Sequence, residues 1–491
     1  MTMVRTLVCV VALLAASGKP VRADQPGQKD LPADVSYFKH ILPIFQLHCQ
    51  GCHQPAKPQG DYIMTDHASL LKAGEKEQPG VVPGQPDKSM VIQELLPRDG
   101  KPPAMPKGKD PLTDHQVALI KKWITQGAKD DTPASARIVI DSDHPPAYTQ
   151  PPAITGLDFS PDGNLLAVTG YHEILLYKAD GSELAGRLIG LSERIQSVAF
   201  SPDGKLLAAA AGSPSRFGEV QVWNVEKKKL VLSVAITADT IYGISWSPDG
   251  TKLAFGCADN TVRAIDLEDG KQVLYMGSHT DWVLGTVWSA EGTYLASVSR
   301  DMSLKLTEVA TQRFIDNVTS ITPGVLKGGL MTVSRRPQKE KKPAKVPPDT
   351  PGAKPNIYDE LLIGGSDGVP RIYKMHRETK RVIGDDANKV REFGAMPGRI
   401  YTGCFNADGS LIALGSSFEG KGEVRVYKVD DAKQVSRFES PQGGVYMIAF
   451  HPAGQVLASA GFDGMVRLND PQTGMLIKEF AAVPLASGAN K

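Results

Sequence analysis

Cys49-Gln50-Gly51-Cys52-His53 places two thiols three positions apart, with an imidazole directly after the second. At this spacing a chain can carry a c-type haem. The two sulfurs add across the vinyl groups of the porphyrin, and His53 then lies under the iron as its proximal nitrogen ligand. Three other readings compete: a redox disulfide, half of a zinc site, or chance. Tetrahedral zinc needs two more ligands at similar spacing, and the sequence has no second Cys pair. A thioredoxin-like pair would need a βαβ context, which the flanking residues do not supply. The haem reading leads, with Cys49 and Cys52 as covalent anchors and His53 on the iron.

The sixth ligand should be a thioether or a second imidazole. Met64, Met90, Met105, His67 and His115 are within reach in sequence. Met105 is preferred, because Lys101-Pro102-Pro103-Ala104-Met105-Pro106 is a proline-stiffened loop that can present sulfur at little entropic cost. Met64 and Met90 sit beside predicted helical segments and read as core filling.

These ligands need helices to hold them. Ile41, Ile44 and Leu47 recur at roughly helical spacing, and Pro43 is tolerated near a helix start, so a short helix should deliver Cys49. Thr113 followed by Gln116 is a capping box. Val117, Ile120 and Ile124, flanked by Leu119 and Trp123, then form an apolar face that Gly127 ends.

With those pieces in view, residues 35–128 resemble the planctomycete-type cytochrome c domain. The matching residues are Ile41-Leu42-Pro43-Ile44-Phe45, the Cys49–His53 motif, Val81-Val82-Pro83-Gly84-Gln85-Pro86-Asp87-Lys88-Ser89, Met105-Pro106, and Trp123-Ile124 with Gly127. Asp61-Tyr62 after Gly60 departs from the family pattern, at a place expected to lie away from the iron ligands. The resemblance implies a small all-α domain with one covalent haem c, His53 and Met105 as axial ligands, and terminal helices packed together beside it.

Residues 1–23 read as a secretory leader: Arg5, an apolar run from Leu7 to Ala16, and Val21-Arg22-Ala23 before Asp24. The run is too short for a bilayer span of roughly 20 residues, although an uncleaved anchor is the alternative. Cleavage would leave no transmembrane segment and an exported, periplasmic protein, compatible with thioether attachment outside the bacterial cytoplasm. A net charge of +1 gives no global field for nucleic acid. Of the five cysteines, Cys9 leaves with the leader, and Cys257 and Cys404 lie in apolar strand patterns as free buried thiols.

Residues 129–152, rich in Asp, Pro and Ala, read as a linker. Beyond them the chain repeats itself. Phe159-Ser160-Pro161-Asp162-Gly163 returns at Phe200 and Trp246, and more weakly at Trp288, Phe405 and Phe450. The wide gap between Trp288 and Phe405 fits two units plus an insertion, making seven. Each unit reads as four short strands; Ile241 to Trp246, Lys252 to Gly256, Val262 to Asp266 and Gln272 to Tyr275 are one set. A period of roughly 40–45 residues resembles WD-repeat propellers, although Trp223-Asn224 is the nearest thing to the family's Trp-Asp pair. The expected fold is thus a small all-α cytochrome domain followed by an all-β seven-bladed propeller over 153–482.

Within the fifth unit, residues 335–356 form a Lys- and Pro-rich insertion that cannot bury a core. It reads as a mobile basic loop, alternatively as an arm for an acidic partner. Asp259, Asp301, Asp367 and Asp463 recur in one turn of the repeat and read as turn-forming rather than acid–base groups. Four scattered propeller histidines give no second metal centre. The leading expectation is an electron carrier whose propeller docks a redox partner protein. The alternatives are an oxidoreductase with a substrate site on the propeller, and a scaffold or sensor with structural haem.

Overall fold

The computed structural model of the chain describes residues 31–136, 140–322, 324–337, 359–382 and 384–486. The leader and most of the basic insertion lie outside these residues. The N-terminal part is small and helical. A π-turn over Tyr37–Ile41 leads into helix α1 (Leu42–His48), with Pro43 in its first turn where a missing N–H costs nothing. Helices α2 (His67–Leu70), α3 (Met90–Leu95) and α4 (Asp114–Thr125) follow.

The expected capping box is present: the Thr113 hydroxyl accepts from the Gln116 N–H, and the Gln116 side chain accepts from the Thr113 N–H. Val117, Leu119, Ile120, Trp123 and Ile124 are all buried. Tyr37 stacks on Trp123 at 5.3 Å between ring centres, which packs the first and last helical segments together. One detail differs from expectation. Leu47 is 37% exposed, and Phe45 fills the core in its place, because Ile41, Ile44 and Phe45 share one face of the turn and Leu47 falls outside it. Among the described residues, no helix is long and apolar enough to cross a membrane.

The rest is antiparallel β structure. Among the described residues it forms five four-stranded sheets and one seven-stranded sheet. The seven-stranded sheet holds two further units joined by one long strand, Leu184–Phe200. The first part of that strand pairs with Tyr171–Lys178, and the part from Arg194 pairs with Leu206–Ser213. The third unit has the strands Ile241–Trp246, Lys252–Cys257, Val262–Asp266 and Gln272–Met276, within a residue or two of the sequence reading.

Local chemistry explains why Ser-Pro-Asp-Gly recurs. The hydroxyl of Ser160 donates to Asp162 (2.5 Å) and accepts from the N–H of Leu165 (2.9 Å), while Asp162 accepts from the N–H of Asn164 (3.0 Å). Ser201 with Asp203, and Ser247 with Asp249, repeat the arrangement. Asn406 substitutes for serine by accepting from the N–H of Leu411. Gly163 closes its turn at φ +75°, a conformation that a Cβ disfavours.

The insertion enters between Leu330–Arg335 and Glu360–Gly365, which pair as a hairpin. Its first residues are not part of a loose loop, contrary to the sequence reading. Arg335 belongs to the strand, and Arg336 is paired with Glu360 (2.9 Å) and Asp430 (3.2 Å).

Residues of the last unit touch residues of the first. Strand Val445–Phe450 touches Leu157–Phe159, and the Ile154 N–H donates to Gly461 O (2.8 Å). The Tyr177 hydroxyl donates to Ala482 O (3.0 Å), and one hydrophobic cluster includes residues of both units. The connector joins the same seam. Tyr148 donates to Glu173, and Glu173 receives a two-pronged contact from Arg187 (2.5 and 2.7 Å). The Glu173 side chain is fully withdrawn from water, so its charge relies on those partners. Removing one partner of a buried pair costs about 3 kcal/mol, whereas replacing both by apolar groups is often neutral. Arg187→Ala should therefore lower the urea unfolding midpoint clearly, and the double variant Arg187→Met/Glu173→Leu should recover most of the loss.

Candidate functional site

Helix α1 ends directly on the Cys-Gln-Gly-Cys-His motif. The Cys49 and Gln50 N–H groups both donate to Phe45 O (2.8 and 2.9 Å), and the Cys52 and His53 N–H groups both donate to Cys49 O (3.1 Å). The motif is therefore one hydrogen-bonded turn carrying both thiols and the imidazole. His53–Gln54 then pairs with Lys57–Pro58. Burial pushes the Cys49 thiol up to about 12, so it is an uncharged thiol at neutral pH.

The His53 Nδ1 lies 3.1 Å from Tyr62 O. A carbonyl can only accept, so Nδ1 carries the proton and Nε2 keeps the lone pair that a metal requires. The Tyr62 ring meets the His53 ring edge to face at 5.9 Å, and its hydroxyl donates to Leu70 O (2.8 Å). This corrects the expectation that Asp61-Tyr62 lies away from the ligands, since Tyr62 orients the imidazole. The sequence could not reveal it, because the contact runs through a backbone carbonyl that any residue possesses. A glycine makes room for the ring: a Cβ on Gly80 would fall 1.8 Å from the Tyr62 hydroxyl.

The turn faces an open cleft of about 1100 Å³, part of it continuous with solvent. Cys49, Cys52 and His53 line it, with Tyr62, Val91 and Leu95 as apolar walls. Met105 lines it too and is half-buried, its N–H donating to Glu94 O (3.0 Å). Met64 and Met90 also line the cleft; Met64 is at the same time a member of the packed core, as the sequence suggested, while Met90 is half-buried. His67 and His115 are not among the lining residues. His67 instead lies 2.7 Å from Ala128 O, edge-on to Tyr37 and Trp123. His48 and Lys109, which the sequence reading passed over, also line the cleft.

Among the described residues, no group of three or more His, Cys, Asp or Glu side chains is arranged around a metal position. The donor set of the cleft includes two thiols on one turn, the His53 imidazole with its Nδ1 protonated, the His48 imidazole, and three thioethers. That set fits a covalently attached haem, whose iron takes its nitrogen and sulfur ligands singly from the protein.

The repeats present a second constellation. His279 Nδ1 lies 2.9 Å from Asp301 and Nε2 lies 2.9 Å from the Ser297 hydroxyl. The geometry mimics a nucleophile–base–acid relay, yet the His279 side chain is wholly buried and Ser297 is 1% exposed, so no substrate can arrive. The trio ties strands together. The other turn aspartates behave as the sequence reading held, with Asp259, Asp367 and Asp463 each accepting from the N–H two residues on.

Comparison with known proteins agrees with this division. Residues 49–108 match the family model Planctomycete cytochrome C. Residues 183–224, 270–307 and 432–470 match WD domain, G-beta repeat, and residues 236–285 match the Anaphase-promoting complex subunit 4 WD40 domain. Among curated proteins, the WD repeat-containing protein SL1-17 of Schistosoma mansoni is 29% identical over 118 residues, 24% of this chain and 38% of that protein. Coronin-7 of Rattus norvegicus is 33% identical over 90 residues, 17% of this chain and 9% of that protein. Protein groucho of Drosophila melanogaster is 29% identical over 120 residues, 24% of this chain and 16% of that protein. These matches cover less than half the length of each relative. The chain thus fuses a cytochrome c-like domain, a class that implies haem binding, to a WD-repeat region of the kind that generally mediates protein interactions.

Two measurements test the site without haem. Burial lowers the pKa of His53 and, together with the charge of Lys109, that of His48. Below about pH 6.5 the unfolded imidazoles bind protons that the folded ones refuse. The haem-free protein should therefore lose stability between pH 7 and pH 5, read as a falling urea midpoint, with a shallower fall in His48→Gln/His53→Gln. Separately, Gly80→Ala should cost about 1–3 kcal/mol through overpacking against Tyr62, seen as a lower melting temperature of the cytochrome domain; an unchanged melting temperature would contradict the close packing.

Proposed function

We propose that this protein is an exported c-type cytochrome that passes single electrons, with the WD-repeat region as its docking module for a redox partner protein. The observation that carries the reading is the single turn on which two thiols and an oriented imidazole meet an apolar cleft also lined by Met105. Cys49 and Cys52 would hold the porphyrin through thioether bonds, and His53 Nε2 and the Met105 sulfur would bind its iron. Haem supplies a one-electron couple when bound. The chain's own part is to fix the imidazole through Tyr62 O, to exclude water with Tyr62, Val91 and Leu95, and to tune the potential by its axial sulfur.

Met105 is preferred over its neighbours for a physical reason. Met64 belongs to the packed core, 3% exposed, while Met105 comes from a proline-bounded loop whose backbone is anchored to Glu94. The reading takes 35–128 as the cytochrome domain, 129–152 as the linker and 153–482 as a seven-bladed propeller. The contacts between the first and last units support that closure. The leader at 1–23 supports export to a periplasm-like compartment.

The test is ligation and redox behaviour of protein matured with haem. The wild type should be reduced and reoxidised rapidly and bind no carbon monoxide, because both axial positions are filled. Met105→Ala should open one position and bind carbon monoxide, while Met64→Ala and Met90→Ala should not. Carbon monoxide binding by the wild type would remove the proposed ligation. Haem reduction by a small-molecule substrate without any partner would replace the carrier by an oxidoreductase.

A further inference from the structure

The haem-binding turn is held by the WD-repeat region as well as by its own domain. Gln54, directly after His53 and 1% exposed, donates its amide to Gln50 O (2.9 Å) and to the Ser233 hydroxyl (3.3 Å). Ser233 lies on Lys229–Thr237, the outer strand of the second unit, and itself lines the cleft. Gly51, between the two thiols, is pressed onto the same strand, where a Cβ would fall 2.6 Å from Ser233 O. Around this point Ala56 packs on the neighbouring β core, and Arg216 sits 5.8 Å from the Phe38 ring.

The contact continues inward to a buried carboxylate. Ser233 donates its hydroxyl hydrogen to Glu219, leaving its lone pair for Gln54. Glu219 also accepts from Ser192 (2.5 Å) and from the Gln221 amide (2.8 Å), and Gln221 in turn accepts from the Trp223 indole (3.2 Å). Burial pushes the Glu219 pKa up, opposed by three side-chain donors, from Ser192, Ser233 and Gln221, that converge on its two oxygens. Lys109 lines the cleft, where burial lowers its pKa against the opposing pull of Cys52, Cys49 and this same carboxylate. From Glu219 the hydrogen bonds run through Ser233 and Gln54 into the residues that flank the haem motif.

We propose that Glu219 is a positioning and charge-setting residue for the haem: through Ser233 and Gln54 it fixes the Cys49–His53 turn, and its negative charge holds the haem potential down. The inference rests on the haem reading above. A fixed anion near the iron favours the ferric over the ferrous state, so its removal should raise the midpoint potential. The WD-repeat region then forms one wall of the haem site and sets its redox poise, in addition to docking a partner.

The experiment is a spectroelectrochemical titration of full-length, haem-loaded protein as wild type, Glu219→Gln, Glu219→Asp and Ser233→Ala. Glu219→Gln should shift the midpoint upward, and Glu219→Asp, which keeps the charge, should remain nearer the wild type. Ser233→Ala leaves the carboxylate in place and cuts the link, so amide hydrogen exchange over 50–54 should quicken. A haem-loaded Glu219→Gln protein at the wild-type potential overturns the charge-setting role. Unchanged exchange in Ser233→Ala overturns the positioning role, and that arm stands even if Glu219→Gln fails to fold. A wild type without bound haem would be recognised before any titration, as failure of the haem reading itself.

Discussion

The organising constraint is that two thiols and one imidazole share a single hydrogen-bonded turn. Cys49 O accepts from the N–H groups of both Cys52 and His53, and Phe45 O ties the turn to the end of α1. Such closure leaves the side chains little freedom. The second feature is the orientation of the imidazole, which Tyr62 O secures by accepting a hydrogen bond from Nδ1–H. Gly80 then matters because the Tyr62 ring occupies the space where a side chain would be. The small helical core, with Trp123 between Tyr37 and Phe45, is the frame that keeps these pieces at one address.

The β region solves a different problem. Each four-stranded unit is too small to bury its faces alone, so each packs on the next. Side-chain bonds of Ser, Asp and Asn at the turns supply local order, and the turn aspartates accept from the N–H two residues on in unit after unit. Where the repeat carries unusual polarity, as at Glu173 with Arg187 or Glu219 with its three donors, the buried carboxylate is hydrogen-bonded on several sides. Both carboxylates lie where the repeats meet another part of the chain, the connector in one case and the cytochrome domain in the other. Burying a charge is costly, and in both places it fixes how two segments sit together.

Much of this was legible in the sequence, for identifiable reasons. The Cys-x-x-Cys-His spacing is a local pattern with little degeneracy, the Thr113–Gln116 box spans three residues, and the repeats announce themselves by turn chemistry at a regular interval. The structure also placed Met105 at the cleft, as its proline-stiffened loop suggested. What stayed hidden depended on contacts distant in sequence or made by the backbone. Gln54 and Ser233 are 179 positions apart. Tyr62 acts through its carbonyl, and His48 reaches the cleft from the last turn of α1 although nothing in its local pattern marks it. His279, Ser297 and Asp301 assemble from separate segments, so scattered histidines looked unconnected. Leu47 was misread because three apolar residues at approximate helical spacing do not reveal which one the turn rotates outward.

The most direct measurement is peptide mapping of exported protein made alongside a working haem-maturation system. The account predicts that the peptide containing Cys49 to His53 carries the mass of one haem through both sulfurs, and that no other peptide does. Recovery of that peptide with two free thiols, or with a disulfide between Cys49 and Cys52, would contradict it.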